Sequence, residues 1–167
     1  MTQYARPDAH HSNGVGNWTD GMMGSSNLHL LIDDTGSGDD TTTYIDSSAD
    51  MDPSADTAEF TLSDVDDPES AADHKLVFKA QGSGMMGGPP DITVALVEGS
   101  TVIASSTDSS VSGSYATTSY TLSSSEANAI SDYAALSVRV TRAYAAMGAS
   151  AQVTQVYFEC PDAEEEE

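Results

Sequence analysis

Apolar and polar residues alternate along this chain in short runs, and the clearest of them is Ser119–Thr141. Tyr120 and Leu122 flank Thr121 at strand spacing, and Ser123 and Glu126 then stand three apart, the spacing of a capping box that starts a helix. Ala127 and Ile130 give that helix one short apolar side, after which Leu136, Val138 and Val140 resume period two. The spacing predicts strand, one or two helical turns, then a strand central to its sheet.

Further strands are predicted at Leu28–Ile32, Thr41–Asp46, Glu59–Leu62 and His74–Ala80, the last with Leu76 and Phe78 inward. Ile92–Val97 and Thr101–Ser105 flank Glu98-Gly99-Ser100 as a hairpin, and Gln152–Cys160 is the last strand. Gly82 to Pro90 holds four glycines and two prolines in nine residues, which no central strand tolerates, so it reads as a loop. About nine strands at intervals of about 8–15 residues predict an all-β fold, an antiparallel β-sandwich with one short helix; the jelly roll is one arrangement that suits it. Residues 1–26 read as an extended N-terminal arm anchored by Trp18, residues 27–161 as the sandwich, and residues 162–167 as a disordered acidic tail.

Charge narrows the partners. With 27 acidic and 5 basic residues the net charge is 5 − 27 = −22, and the cations Arg6, Lys75, Lys79, Arg139 and Arg142 form no cluster. Nucleic acid and anionic membranes both need such a cluster, so neither is expected as a partner. Self-repulsion of this size destabilises a compact state at low salt and is screened at molar salt, which points to a saline setting. The single Cys160 excludes an intrachain disulfide, and its alternation with Val156 and Phe158 predicts a buried small hydrophobe. Residues 1–25 carry no apolar run of signal-peptide length and no stretch nears about 20 apolar residues, so synthesis in the cytoplasm is expected, with retention there unless the chain is exported inside a larger assembly.

Candidate chemistry is sparse. Counted from Asp33, the acidic loop offers Asp33, Thr35 and Ser37 with Gly38 sixth, but the twelfth place is Tyr44 where a calcium loop needs a bidentate Glu. Asp33, Asp34, Asp39 and Asp40 remain the only metal candidates, for an irregular loop site. His10-His11 is adjacent rather than i, i+4, and His29 and His74 fall in strands as structural histidines. No nucleophile elbow, phosphate loop or zincin motif occurs, so no catalytic residue, no cofactor and no enzymatic activity are expected. Met22-Met23 and Met85-Met86, each flanked by glycine, are adaptable apolar residues on an acidic chain and, with Trp18, are the candidates for protein contact.

Arg6-Pro7, Asn17-Trp18-Thr19, Ile32-Asp33 leading to Asp39-Asp40-Thr41-Thr42-Thr43-Tyr44-Ile45, and Phe60-Thr61-Leu62 carry a family likeness. With Tyr120-Thr121-Leu122, Glu126-Ala127, Ile130, Asp132-Tyr133, Leu136, Val138-Arg139-Val140 and Val153 to Pro161, most of the chain resembles small virion structural proteins of tailed viruses of bacteria and archaea. The resemblance implies a β-sandwich without catalytic residues, located in the virion and made in the host cytoplasm. It suggests no place in the particle; within that class the leading expectation is a capsid decoration, cement or turret protein whose partners are the major capsid protein or other virion proteins and further copies of itself, as a trimer at symmetry axes. The arm and Met loops would lie on capsid subunits. A tail-associated adaptor or a fibre or receptor-binding module is the alternative within virions; a calcium- or carbohydrate-binding sandwich is the alternative outside them. The chain departs from the pattern in loop 82–90 and in its Glu tail.

Overall fold

The computed structural model describes residues 1–22, 24–34, 42–47, 56–83, 90–109, 111–143 and 149–163. Eleven strands run through them: β1 (Thr2–Ala5), β2 (Pro7–His10), β3 (Trp18–Thr19), β4 (Ile45–Ser47), β5 (Asp56–Leu62), β6 (Lys75–Ser83), β7 (Ile92–Glu98), β8 (Thr101–Asp108), β9 (Ala116–Thr121), β10 (Leu136–Arg142) and β11 (Ser150–Pro161). One sheet has the order β3-β4-β11-β6-β9 with β1 also beside β11, and the other has the order β2-β5-β10-β7-β8. Every pairing is antiparallel.

From β4 onward the chain changes sheet at every step except the β7–β8 hairpin. The resulting order, β4-β11-β6-β9 facing β5-β10-β7-β8, is the jelly roll. Period-two patterning builds it: Leu76 and Phe78 of β6 pair with Phe158 and Val156 of β11, and Val138 of β10 lies between Phe60 and Leu96. All seven are buried in one continuous core. β10 is central to its sheet, as its uninterrupted Leu136, Val138 and Val140 predict.

The predicted capping box forms. Ser123 accepts from the Glu126 backbone N–H, the Glu126 carboxylate accepts from the Ser123 N–H, and helix α1 (Ser124–Ala127) follows. At the β7–β8 turn Gly99 has φ +60°, the left-handed conformation that short hairpin turns need and that glycine adopts without strain.

The N-terminal segment departs from the expected arm. β1 pairs with the end of β11, the chain crosses at Arg6, and β2 pairs with β5, setting His10 opposite Phe60. Residues 11–18 continue beside β5: the His11 N–H donates to the Glu59 carbonyl at 2.9 Å and the Glu59 N–H to the Gly14 carbonyl at 3.0 Å. At Gly16, φ +56°, a Cβ would stand 2.6 Å from the Thr57 carbonyl oxygen, so only glycine allows this approach. Trp18 then pairs with Ser47 and lies fully inside the core. The physical reason is the edge of β5: its backbone groups have no other partner among the described residues, and this segment covers them.

Leu28–Leu31 is a 3-10 helix rather than a strand. The contiguous apolar run is ambiguous between the two states, and Asn27 at φ 58° turns the chain into a helical register. That register buries Leu28 and Ile32, four apart, and leaves Leu30 exposed. The strand expected over Thr41–Asp46 is the shorter β4, displaced toward Ser47. Of the acidic tail, Asp162 is held, its N–H donating to the Met1 carbonyl and its carboxylate 3.2 Å from the N-terminal ammonium. Residues 164–167 lie outside the described residues.

Candidate binding surface

The contact candidates separate on inspection. Trp18, expected to lie on a partner, is 0% exposed, because its indole fills the space between the sheets where β3 joins β4. Met22 is 86% exposed. It is displayed on a turn braced by Asp20, whose Oδ1 accepts from the N–H groups of Met22 (2.8 Å) and Gly24 (2.9 Å), while the Asp20 N–H donates to the Gly24 carbonyl at 2.8 Å. The two backbone hydrogen bonds hold the Asp20 carboxyl below its ordinary range. Met23, Met85, Met86, Asp39 and Asp40 lie outside the described residues. Asp33 and Asp34 are half-buried, and among the described residues no three His, Cys, Asp or Glu converge on a point where a metal would sit.

The histidines serve the fold. His10 Nε2 accepts from the Leu28 N–H at 2.9 Å and its ring meets Phe60 and His29 edge-on. Burial and the neighbouring His29 lower its pKa, favouring the neutral ring that accepts this bond. His74, fully buried ahead of β6, stands 2.7 Å from the Tyr133 hydroxyl and 2.8 Å from the Ala72 carbonyl. Burial, with Asp67 and Cys160 nearby, pushes the Tyr133 phenol up to about 12. Cys160 is free and buried, and burial with four surrounding carboxylates pushes its thiol up to about 12.

Two acidic groups are sunk into the sandwich as structural links. Glu59, 1% exposed, accepts from Asn13 Nδ2 (3.0 Å), Arg139 Nε (2.9 Å) and Ser137 Oγ (3.1 Å), and lies 3.3 Å from His11 Nδ1. Burial alone would raise its pKa; these donors outweigh burial and hold the carboxyl low. Asp56 and Arg142 form a buried pair at 2.6 Å, and Asp56 also accepts from Asn17 Nδ2 at 2.9 Å. Both acids therefore bind the N-terminal segment to β10.

On the outer face of the β11–β6 pair lies a cleft of about 160 Å3 lined by Gln81, Gly82, Ser83, Gly113, Ser150 and Gln152. Gln81 Nε2 donates to Gln152 Oε1 at 2.5 Å, the Tyr115 hydroxyl donates to the same oxygen at 3.1 Å, and Gln152 Nε2 donates to Asp46 Oδ2 at 2.9 Å. Burial pushes the Asp46 carboxyl up, partly offset by that amide. On a chain of charge −22 this is a patch of amides and hydroxyls with one carboxylate, Asp46, beside one aromatic ring, Tyr115. These residues escape sequence reading because polar positions facing outward from a strand look like ordinary surface. The only signal is their place in β6 and β11, whose other residues are mostly buried.

No family model matches the chain, and no curated protein matches it. Among solved structures it is similar to the K3 cleaved adhesin domain of Lys-gingipain from Porphyromonas gingivalis w83, at 9% identity and a TM-score of 0.46, with 95% of this chain and 99% of that chain covered. A likeness of that size carries no functional argument.

Proposed function

We propose that the chain is a non-enzymatic structural protein of a tailed-virus particle, a decoration, cement or turret protein on the outside of the head. The observation that carries this reading is Met22, an adaptable apolar side chain held out on an Asp20-braced turn of an otherwise acidic protein. The resemblance of residue motifs to small virion proteins supports the same class. The mechanism is mechanical: the Met22 turn inserts between capsid subunits, while the acidic surface faces solvent and keeps particles apart. Because residues 1–19 are built into the sandwich, contact is made by this turn and not by a separable arm.

The test is co-sedimentation with empty mature capsids of the encoding virus, comparing the intact protein with Met22→Asp. Saturable binding by the first and loss of at least about tenfold in affinity by the second, at unchanged melting temperature, are expected. Absence of binding to heads, or immunogold label confined to tails, refutes the head reading and favours the tail adaptor or fibre module. The cleft at Gln81, Gln152 and Tyr115 favours a second reading, a carbohydrate-binding sandwich. Retention on a neutral-glycan array that is lost in Gln152→Ala supports it.

A further inference from the structure

The side chain of His10 joins two elements that stand 18 residues apart in the chain. Its Nε2 accepts from the backbone N–H of Leu28, the first residue of the 3-10 helix, and so fastens that helix to β2. An accepting Nε2 carries a lone pair, so the bond exists only for the neutral ring with its proton on Nδ1. The Leu28 N–H has no substitute acceptor at hand: the first N–H groups of a helix lack intrahelical partners, and the Asn27 side chain does not cap this one.

The surroundings of the ring offer little to a cation. His10 pairs with Phe60, a core residue of β5, and meets the rings of Phe60 and His29 edge-on. Asp8 of β2 accepts from Thr61 Oγ1, on the opposite face of β5 from Phe60. His11 faces Glu59, which is also committed to Asn13, Ser137 and Arg139. On the helix side Asp20 is spent on the Met22 and Gly24 N–H groups, and Asp33, followed by Asp34, lines an outer cavity of about 330 Å3 with Arg6, Asp8 and Leu30. In a chain with 27 acids, the titratable group set against the His10 ring is thus another histidine, His29, whose buried Nδ1 has no hydrogen-bond partner among the described residues.

We propose that His10 is an acid-sensitive latch: a proton taken up at Nε2 breaks the bond to Leu28 and loosens the 3-10 helix, with the Met22 turn before it, from β2 while the sandwich stays folded. A protonated Nε2 is a donor facing a donor, so the bond cannot re-form and the Leu28 N–H loses its partner. Release stays local because the helix is a single short turn tied by few backbone bonds, Leu30 to Asn27, Ile32 to His29 and Val156 to the Ile32 carbonyl, whereas β10 and β11 are paired on both sides. Latched, His10 takes up a proton less readily than when released, where its pKa is the ordinary 6.5. The latch is therefore at full strength above 6.5 and weakens as pH falls below it, its opening constant rising by up to about tenfold per pH unit until the lower, latched value is passed. None of this depends on what Met22 touches.

Amide hydrogen exchange from about pH 7.5 to about pH 5 at fixed NaCl concentration, corrected for intrinsic rates, tests the latch. Protection at Leu28, Leu30 and Ile32 should fall together by at least about tenfold, while the Phe78 and Val138 amides of the central strands hold. His10→Gln offers the Leu28 N–H an amide oxygen that does not titrate, and the pH dependence should disappear. Nitrogen NMR shifts of the wild-type histidines cover the case in which that variant does not fold: His10 Nε2 should be unprotonated at neutral pH and should titrate in step with Leu28 protection. Protection at Leu28 that is flat across the range, a pH dependence undiminished in His10→Gln, a protonated Nε2 at neutral pH, or loss of the core amides together with Leu28 overturns the proposal.

Discussion

Trp18 provides the sharpest test of how the N-terminal segment is held. It is the only tryptophan, it is fully buried, and its Nε1 has no hydrogen-bond partner among the described residues. Replacing it with alanine deletes a large buried ring from the core between β4 and the N-terminal strands, and such changes cost about 3–5 kcal/mol. For a chain of this size each kcal/mol moves the midpoint by about 2–4 °C, so Trp18→Ala should lower it by about 6–20 °C. Trp18→Phe keeps most of the ring and discards a buried, unpaired donor whose desolvation costs about 1–3 kcal/mol. The two effects oppose each other, and its loss should fall well below that of alanine. Thermal melts followed by circular dichroism measure both variants, and acrylamide quenching of the wild-type emission reports directly on burial. Quenching equal to that of free indole, or a loss below about 1 kcal/mol in Trp18→Ala, refutes a built-in segment and restores the picture of a free arm. Deleting residues 1–26 should likewise abolish cooperative melting, because β1, β2 and β3 go with them.

Further predictions address charge. Glu59 has a folded pKa held below its ordinary 4.5, so its contribution is fully present above that value and is lost as pH falls through the folded one; acid titration of the melting temperature should show this loss in the wild type and not in Glu59→Gln. Glu59→Ala also strands Arg139 and should cost about 2–4 kcal/mol by urea unfolding, reduced from the fully buried case because Arg139 retains some solvent. Asp46 has the opposite sign: its carboxyl is raised, so Asp46→Asn should raise the melting temperature at neutral pH, and the gain should vanish below the ordinary carboxylate range. The melting temperature should climb between low and molar NaCl as repulsion among −22 net charges is screened. A thiol reagent should leave Cys160 unmodified in the native protein and titrate one thiol in denaturant.

Much of the scaffold is legible in local chemistry. Period-two runs at Leu76–Phe78 and Leu136–Val140, the Ser123–Glu126 capping box and the turn at Gly99 each predict an element that forms, because strand alternation, helix caps and left-handed glycines act within a few residues. The central place of β10 follows from its continuous apolar face for the same reason.

The sequence by itself determined the class of fold, the acidity, and the absence of any local catalytic motif. Only the tertiary structure decided where the weakly patterned segments go. Residues 1–19 carry little apolar period, and their strands exist because the edges of β5, β4 and β11 offer backbone partners 27 to 159 residues away. Leu28–Leu31 took a 3-10 helix because burying Leu28 and Ile32 against the assembled core outweighed a propensity that favoured neither state. The amide cleft and the terminal place of β9 are likewise products of strand order. Gln81 meets Gln152, and Thr117, Ser119 and Thr121 face solvent, only once β11 has inserted between β4 and β6 and left β9 at the end of its sheet. A backbone group's partner, unlike its own conformational preference, is fixed by what lies beside it in space.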